Sequence, residues 1–474
     1  MSDSALIEAL RDIVGKAHVL TDCDELAGYR TDGRGSGGGH PVAVVRPADA
    51  AAICEMIRLA MAWDIRIVVQ GGRTGLVGAG LPSDRGGELI INLERLSRHV
   101  EIDPANRTAC VDAGVRLSAL NAAAASHGLF LPIDLGADPT IGGMIASNTG
   151  GARLLRHGDM RANLLTLDVV RAAPQPEVLT LGLPLWKNNT GLDLKHLLVG
   201  SGGSLGIVTR ATVTLQPLPA AQTTALVALR DADAALPILQ AAEAAFGGLL
   251  SAFEGMSHAA MAAAFSHVPT LRRPFDSLPP YAVLIELSAG NAFDETQLED
   301  RLAHGLAPFM DGFDAPVIDI AIDHRGGLWA IRHAVPEGLR ASGTVIACDI
   351  AMRRGDVMRF RHHMAGILAR ETPGLIPHDF GHVGDGGLHY NLVWSEERGP
   401  LDPSLADRAR TLVFDTVVHD FGGSFSAEHG IGPRNIAHYP RFVPAALRRL
   451  AGEIQYVMAP TPIGRVDFGM MEEA

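Results

Sequence analysis

Residues 381–391 read GHVGDGGLHYN, two histidines bracketing a run of glycines and one aspartate. Imidazole is a common metal ligand and the one side chain that titrates near neutral pH unaided. Asp385-Gly386 is a strong signal for a two-residue hairpin turn, which needs φ > 0 at both central positions. With that turn, His382 lies opposite His389, with Cβ atoms about 5 Å apart. Side chains alternate along a strand, so Asn391 joins the face of His389. The stretch predicts a pair of metal ligands with a polar neighbour. The plainer alternative is an ordinary hairpin with two surface histidines, and a third ligand decides between them.

SFSAEHGIGPRN (424–435) offers that ligand. In a regular strand Glu428 and His429 would face opposite ways. Gly430 and Gly432 imply a loop instead, where both can turn toward one site. His382, His389 and Glu428 then make a set suited to zinc with open coordination positions, and His429 is left as a free base. The alternative is a buried Glu–His hydrogen bond. His362, His363, His378 and His438 read as surface or structural residues.

Three glycine tracts suggest a second kind of chemistry. QGGRTGLVGAG (70–80) directly follows a strand, and its glycines let backbone N–H groups approach an anion. It lacks the Gly-Lys-Ser/Thr ending of a Walker loop. IGGMIASNTGGARLLRHGDMR (141–161) and NNTGLDLKHLLVGSGGSLGIVT (188–209) follow in the same half of the chain. One such run is as well explained by a flexible loop. Three predict one large ligand with phosphate and ring contacts. TDGRGSGGG (31–39) contains a formal GxGxxG at Gly33, Gly35 and Gly38, but it follows no apolar strand and reads as a loop.

The elements that must position these residues are legible as an alternation. PVAVVR (41–46), IRIVVQ (65–70), LIINL (89–93) and LLTLDVVRA (164–172) read as strands. Ile53, Met56, Ile57, Ala60 and Met61 fall at helical spacing, and RLSALNAAAASHG (116–128) is a helix closed by Gly128. This is an α/β arrangement with glycine loops at strand ends, where such folds bind ligands. The composition changes near residue 220. Beyond it, Asp402-Pro403 starts a helix carrying Leu405, Leu412, Val413, Thr416 and Val417, closed by Gly422-Gly423.

The length of 474 residues predicts two large domains, and 47% hydrophobic with 20% charged residues predicts a full core. A net charge of −13 with 4 Trp and 5 Tyr excludes a nucleic-acid binder, which needs basic patches and stacking platforms. Cys23, Cys54, Cys110 and Cys348 form no CxxC pair, which excludes an iron–sulfur or thiolate zinc cluster and suits a reducing cytoplasm. MSDSALIEALRDIVG reads as an acidic amphipathic helix rather than a signal peptide, and no apolar stretch is long enough to span a bilayer. A cytoplasmic protein is expected, at most peripheral to a membrane.

Taken together, the tracts resemble the FAD-linked oxidases of the vanillyl-alcohol oxidase type. They are most similar to the D-2-hydroxyacid dehydrogenase branch, which includes D-lactate and D-2-hydroxyglutarate dehydrogenases. The resemblance runs over nearly the whole chain and implies an α+β fold. A two-part FAD-binding domain (1–220, completed by 423–474) would join a substrate domain on an antiparallel sheet (221–422) that carries the metal hairpin. It implies non-covalent FAD, since the first loop has Arg73 and no histidine. The implied cofactor residues are Gly71, Gly72, Arg73, Thr74, Gly75 and Leu76 in the pyrophosphate loop, Gly142, Gly143, Asn148, Gly150 and Gly151 in the second tract, and Gly206 and Ile207 in the third. His382, His389 and Glu428 would hold a divalent metal such as zinc, and His429 would be the general base. Asn391 would touch substrate, and Arg332 in LWAIRHAVPEG would bind its carboxylate.

The chain departs from the family pattern at His157, Gly202, Gly387 and TPIGRV (461–466). It also carries Ala347 two residues before Asp349, where the 2-hydroxyglutarate-like members have lysine. Losing that cation leaves a second carboxylate without a partner, which is costly when buried. The expected substrate is therefore a D-lactate-like monocarboxylate, with D-2-hydroxyglutarate as the alternative. Oxygen, a quinone or an electron-transfer flavoprotein would reoxidise the flavin, and a homodimer is one assembly the sequence allows. The rivals from other classes are a metal-dependent hydrolase using the histidines and Glu428, and a non-catalytic flavin-binding module.

Overall fold

Val44, Val68 and Ile90 point to one side of a sheet and Val45, Ile67, Leu89 and Ile91 to the other, and both sides are core. Burial on both faces is why these strands read as unbroken apolar runs. The computed structural model describes residues 3–35, 37–460 and 463–470. Met1, Ser2, Ser36, Thr461, Pro462 and 471–474 lie outside them, and with them parts of the N-terminal helix, TDGRGSGGG and TPIGRV.

The chain divides into two units. The first is 1–150, 159–217 and 428–474, and the second is 151–158 and 218–427. The cuts fall at 217/218 and 427/428 rather than 220/221 and 422/423, and residues 151–158 join the second unit, which the sequence did not suggest.

In the first unit a four-stranded sheet runs Val19–Leu20, Ala43–Val45, Leu89–Asn92, Ile67–Gln70, the last three parallel. The helix Ala50–Ala62 makes the crossover. Asp49 caps it by accepting from the Ala52 N–H at 2.8 Å, and Ile53, Met56, Ile57 and Ala60 face the core while Met61 is exposed. A five-stranded antiparallel sheet follows in the order Val100–Asp103, Thr108–Asp112, Ile207–Thr214, Leu164–Arg171, Glu177–Gly182.

The second unit is built on one antiparallel sheet of eight strands. Its path is Val317–Asp323, Ala221–Leu229, Tyr281–Ala289, Leu250–Ser257, Ile376–Gly381, Gly387–Ser395, Gly343–Ile346, with Asp349–Ala351 also paired to Gly387–Ser395. The helices His258–His267 and Gly327–Ser342 pack together and onto the sheet. A Cβ at Gly338 would lie 2.6 Å from the Ala263 carbonyl, so only glycine allows that approach.

Four buried carboxylates, Glu254, Glu286, Asp349 and Asp379, interrupt the strands of this sheet among the described residues. Ala252 pairs with Glu286 and Leu284 with Glu254, so Glu254 and Glu286 share a face. Trp329 and Arg332, three apart on the helix above, reach them. Trp329 Nε1 donates to Glu286 Oε2 at 2.9 Å, and Arg332 Nε to Glu254 Oε2 at 2.7 Å. Glu286 also takes two bonds from Arg153, at 2.8 and 2.9 Å, and one from Ser251 Oγ at 2.6 Å. Arg153 and Arg156, whose Nη1 donates to the Ser288 carbonyl at 2.6 Å, fasten residues 151–158 to the second unit.

Removing Arg153 leaves the Glu286 charge buried with hydroxyl and indole donors only. Arg153→Ala is expected to destabilise the fold by about 3–5 kcal/mol, read as an earlier transition in a urea melt. An unchanged melt would mean that the pair holds nothing in place.

Candidate functional site

The hairpin closes differently from the two-residue turn. Ile376–Gly381 pairs with Gly387–Ser395 in a register that sets Phe380, not His382, opposite His389. The His382 carbonyl accepts the N–H groups of Asp385, Gly386 and Gly387, each at 3.1 Å, and makes a wider loop. Gly386 has φ 96°, but Asp385 is not in the positive-φ region, so the turn geometry assumed from Asp-Gly is absent. The two imidazoles still meet, with ring centroids 5.2 Å apart at 74°. Asn391 keeps the face of His389, as the strand period requires, and is buried opposite His378.

Each histidine turns its Nδ1 toward a carboxylate. His382 Nδ1 lies 2.8 Å from Glu254 Oε1, and His389 Nδ1 lies 3.5 Å from Asp349 Oδ1, its cross-strand partner. A carboxylate beside each imidazole is the usual support of ligating histidines, although His382 Nδ1 makes no aligned hydrogen bond. The donor set therefore fits a divalent metal of the zinc type. Burial alone would push the Glu254 carboxyl up, but His382 and Arg332 outweigh it and hold it at about 2. Neither Glu254 nor the role of Asp349 was singled out from sequence. A lone glutamate in the apolar strand LSAFEGMS was the available signal.

Arg332 is buried, its guanidinium carbon 4.5 Å from the Phe380 ring centroid. Its Nε is engaged by Glu254. Among the described residues no acceptor takes Nη1 or Nη2, so the planar end remains for a ligand carboxylate.

Segment 424–427 runs beside Asp349–Ala351. Ser424 and Ala351 exchange backbone bonds at 2.7 and 3.1 Å, and the Ala427 N–H donates to the Asp349 carbonyl at 3.2 Å. Glu428 is the next residue. There the chain enters the last segment of the first unit, with Glu428 and His429 half-buried in a loop.

Within the first unit that loop is fastened to the first glycine tract. The Arg434 N–H donates to the Val77 carbonyl at 3.2 Å and Arg434 Nη1 to the Leu76 carbonyl at 2.6 Å, while Asn435 bonds Gly430 and Gly432 at 2.8 Å each. The Gly33 N–H donates to the Gly75 carbonyl of the same tract at 3.2 Å. Gln70 Nε2 donates to the Gly80 carbonyl at 2.6 Å. The tract is thus held by its carbonyls. Among the described residues no acceptor takes an N–H from Gly71 through Gly80. A Cβ at Gly71 would collide with Thr140 Oγ1, and one at Gly72 would lie 2.9 Å from Arg116 Nη1. Arg73 has φ 60° and stacks on Tyr29 at 4.7 Å. A run of amides brought close and left without acceptors fits a pyrophosphate.

The second and third tracts serve packing more visibly. The Gly142 N–H goes to the Ala113 carbonyl at 2.8 Å and the Gly143 N–H to Thr140 Oγ1 at 3.3 Å. Asn148 ends the helix Ile141–Ser147 in the left-handed region, its amide bonded to Asp159 Oδ2 at 2.7 Å and the Arg161 N–H at 3.0 Å. Gly150 is buried in the first unit, and Gly151 opens the segment that joins the second. A Cβ at Gly206 would lie 2.7 Å from Val169 Cγ2, and Ile207 is a core residue.

Residues 41–181 match an FAD binding domain, and residues 218–460 match the FAD linked oxidases, C-terminal domain. The chain is 32% identical to the D-2-hydroxyglutarate dehydrogenase of Xanthomonas citri pv. viticola over 91% of this chain and 89% of that one. It is 30% identical to the mitochondrial D-2-hydroxyglutarate dehydrogenase of Arabidopsis thaliana over 91% of this chain and 75% of that one. Solved structures of similar fold include 4-ethylphenol oxidase from Gulosibacter chungangensis, with a TM-score of 0.72 at 18% identity over 97% of this chain and 95% of that one. Another is p-cresol methylhydroxylase, with a TM-score of 0.70 at 15% identity and the same coverage.

His157, in the segment 151–158, has its pKa lowered to about 4, first by burial and then by Arg156 and Arg153. The folded chain keeps it neutral while the unfolded chain protonates it below pH 6.5. Its contribution is present above pH 6.5 and is lost as pH falls from 6.5 toward 4. His157→Gln is expected to flatten the fall in melting temperature across that window. An equally steep fall would show that other groups set it.

Proposed function

The chain belongs to the FAD-linked oxidases, and on that premise we propose that it oxidises a D-2-hydroxyacid to the 2-oxoacid with FAD and a divalent metal, zinc by donor type. The observation that carries this reading is the pair of histidines with carboxylates at Nδ1, joined through Glu254 to an arginine with its Nη groups to offer.

Arg332 Nη1 and Nη2 take the substrate carboxylate as a bidentate pair and fix its orientation. Asn391 hydrogen-bonds a substrate oxygen. His429 takes the proton of the 2-hydroxyl. His382, His389 and Glu428 would hold the metal, whose Lewis acidity would lower the pKa of that hydroxyl. Bound FAD would supply the acceptor for the C2 hydride. The hydride carries both electrons and His429 takes the proton, so the product is the 2-oxoacid. Gly71 through Leu76 cradle the cofactor's pyrophosphate by backbone amides, with no histidine in that run to form a covalent link. A metal hydrolase reading would leave these amides idle, and the match over residues 41–181 speaks against it.

Among substrates we favour a D-lactate-like monocarboxylate. Ala347 offers no cation two residues from Asp349, whose carboxyl faces His389. D-2-hydroxyglutarate is the second reading, favoured by the names of the relatives. Oxygen, a quinone or an electron-transfer flavoprotein is the final oxidant. Four free cysteines suit a reducing compartment, and no helix among the described residues is long and apolar enough to cross a membrane.

Anaerobic bleaching of the flavin by D-lactate and by D-2-hydroxyglutarate, side by side, separates the two. Faster bleaching by D-lactate supports the role given to Ala347. Faster bleaching by the diacid means another residue binds the second carboxylate. His429→Ala is expected to slow bleaching by about 10²–10⁴-fold while FAD stays bound, and a wild-type rate would remove His429 as the base.

A further inference from the structure

We propose that Arg434 is a positioning residue for the cofactor, which aims the Val77 and Gly78 amides at the FAD pyrophosphate and makes cofactor binding and ordering of the His429 loop one event. The inference rests on the reading above, in which the first glycine tract takes the pyrophosphate and His429 is the base. It extends the cradle beyond Leu76.

The geometry lies within the first unit. Arg434 donates to two consecutive carbonyls of the tract, to Leu76 through Nη1 at 2.6 Å and to Val77 through its own backbone N–H at 3.2 Å. A trans peptide is planar, and its C=O and N–H point opposite ways. Holding the Leu76 carbonyl therefore turns the Val77 N–H away from Arg434, and holding the Val77 carbonyl does the same to the Gly78 N–H. Gly33 holds the Gly75 carbonyl and so orients the Leu76 N–H. Three consecutive amides are set by their carbonyls, and among the described residues none of the three has an acceptor. Asp32 Oδ2 lies 2.8 Å from Arg434 Nη2, an ion pair without the alignment of a hydrogen bond. With its charge offset there and Nη1 engaged by Leu76, the guanidinium acts as a brace rather than as a phosphate ligand.

The same residue stands in the loop that begins with Glu428 and His429. Gly432 is pressed onto the tract, where a Cβ would lie 2.6 Å from the Val77 carbonyl oxygen. Asn435 closes the loop on itself through Gly430 and Gly432, at 2.8 Å each. An anion that fixes the tract also fixes the loop bonded to it. By linkage, a loop already seated favours the anion by the same factor.

The intact chain, wild type and Arg434→Gln, is stripped of FAD and titrated with it, with affinity read from quenching of flavin fluorescence. Amide hydrogen exchange of residues 428–436 is measured with and without FAD. In wild type FAD is expected to slow exchange there. Arg434→Gln is expected to bind FAD about 10–100-fold more weakly, and at saturating FAD to leave 428–436 exchanging as in the FAD-free chain. Arg434→Lys keeps one donor for the Leu76 carbonyl and is expected to recover part of the affinity. A merely structural Arg434 would lower the melting temperature with and without FAD alike, leaving affinity and FAD-linked protection at wild-type values.

Wild-type FAD affinity in a folded Arg434→Gln overturns the proposal and leaves the dehydrogenase reading standing. A wild type that binds no FAD overturns that reading and this proposal with it. Should the variant fail to fold, exchange in wild type decides. Protection of 428–436 that appears with FAD supports the proposal, and equal exchange with and without FAD overturns it.

Discussion

A carboxylate buried in an apolar sheet is tolerable only between donors, and the second unit is organised around two of them. Glu254 and Glu286 sit on one face of adjacent strands, and each is satisfied by the helix Gly327–Ser342 and by groups from other elements. Glu286 takes Trp329 and the strap carrying Arg153. Glu254 takes Arg332 and His382. The same helix is therefore pinned to the sheet at two points three residues apart. An isolated buried charge would cost several kcal/mol, so neither carboxylate can leave its partners without the helix and the hairpin losing their seats. This is what gives Arg332 and His382 fixed positions in an otherwise apolar layer.

The first unit solves a different problem with backbone alone. Its first glycine tract must stay rigid while keeping amides available. It does so by bonding through carbonyls, to Gly33 and Arg434 from two other parts of the chain and to its own Gln70. The glycines at 71 and 72 are forced by the approach of Thr140 and Arg116 rather than by flexibility. Arg434 has a particular place here, because it also anchors the loop that begins with Glu428 and His429. The segment with the candidate base and the loop with the free amides are thus held as one piece within the unit.

What could be read from the sequence followed local rules. The parallel strands, the crossover helix and the shared face of His389 and Asn391 depend on periodicity, which the chain obeys. The hairpin register did not follow, because Asp-Gly specifies a two-residue turn only when both residues take φ > 0. Here the His382 carbonyl gathers three amides and enlarges the loop instead. The two imidazoles were still correctly paired, since a wider loop folds His382 back toward its partner. Glu254, Asp349 and the strap 151–158 were not found, for a common reason. Their importance lies in partners far along the chain, and no spacing rule connects residue 254 with 332 and 382, or 153 with 286.

The same logic bears on substrate choice. Arg332 is one cation with one usable edge, because Glu254 engages the other and neutralises part of its charge. On the proposed reading, a monocarboxylate would satisfy that edge and leave the neighbourhood of Asp349 and His389 balanced. A second carboxylate would have to be desolvated near Asp349, itself buried and already facing His389, with alanine at 347 where a lysine would compensate. Two like charges in one poorly solvated region raise each other's energy, so a diacid needs a cation supplied from another element. Identity of about 30% to D-2-hydroxyglutarate dehydrogenases supports oxidation of a D-2-hydroxyacid, and on the proposed reading the histidines and arginine would act on the end that all such substrates share. Discrimination among D-2-hydroxyacids would then rest on which charges surround the far end, and at position 347 this chain has alanine.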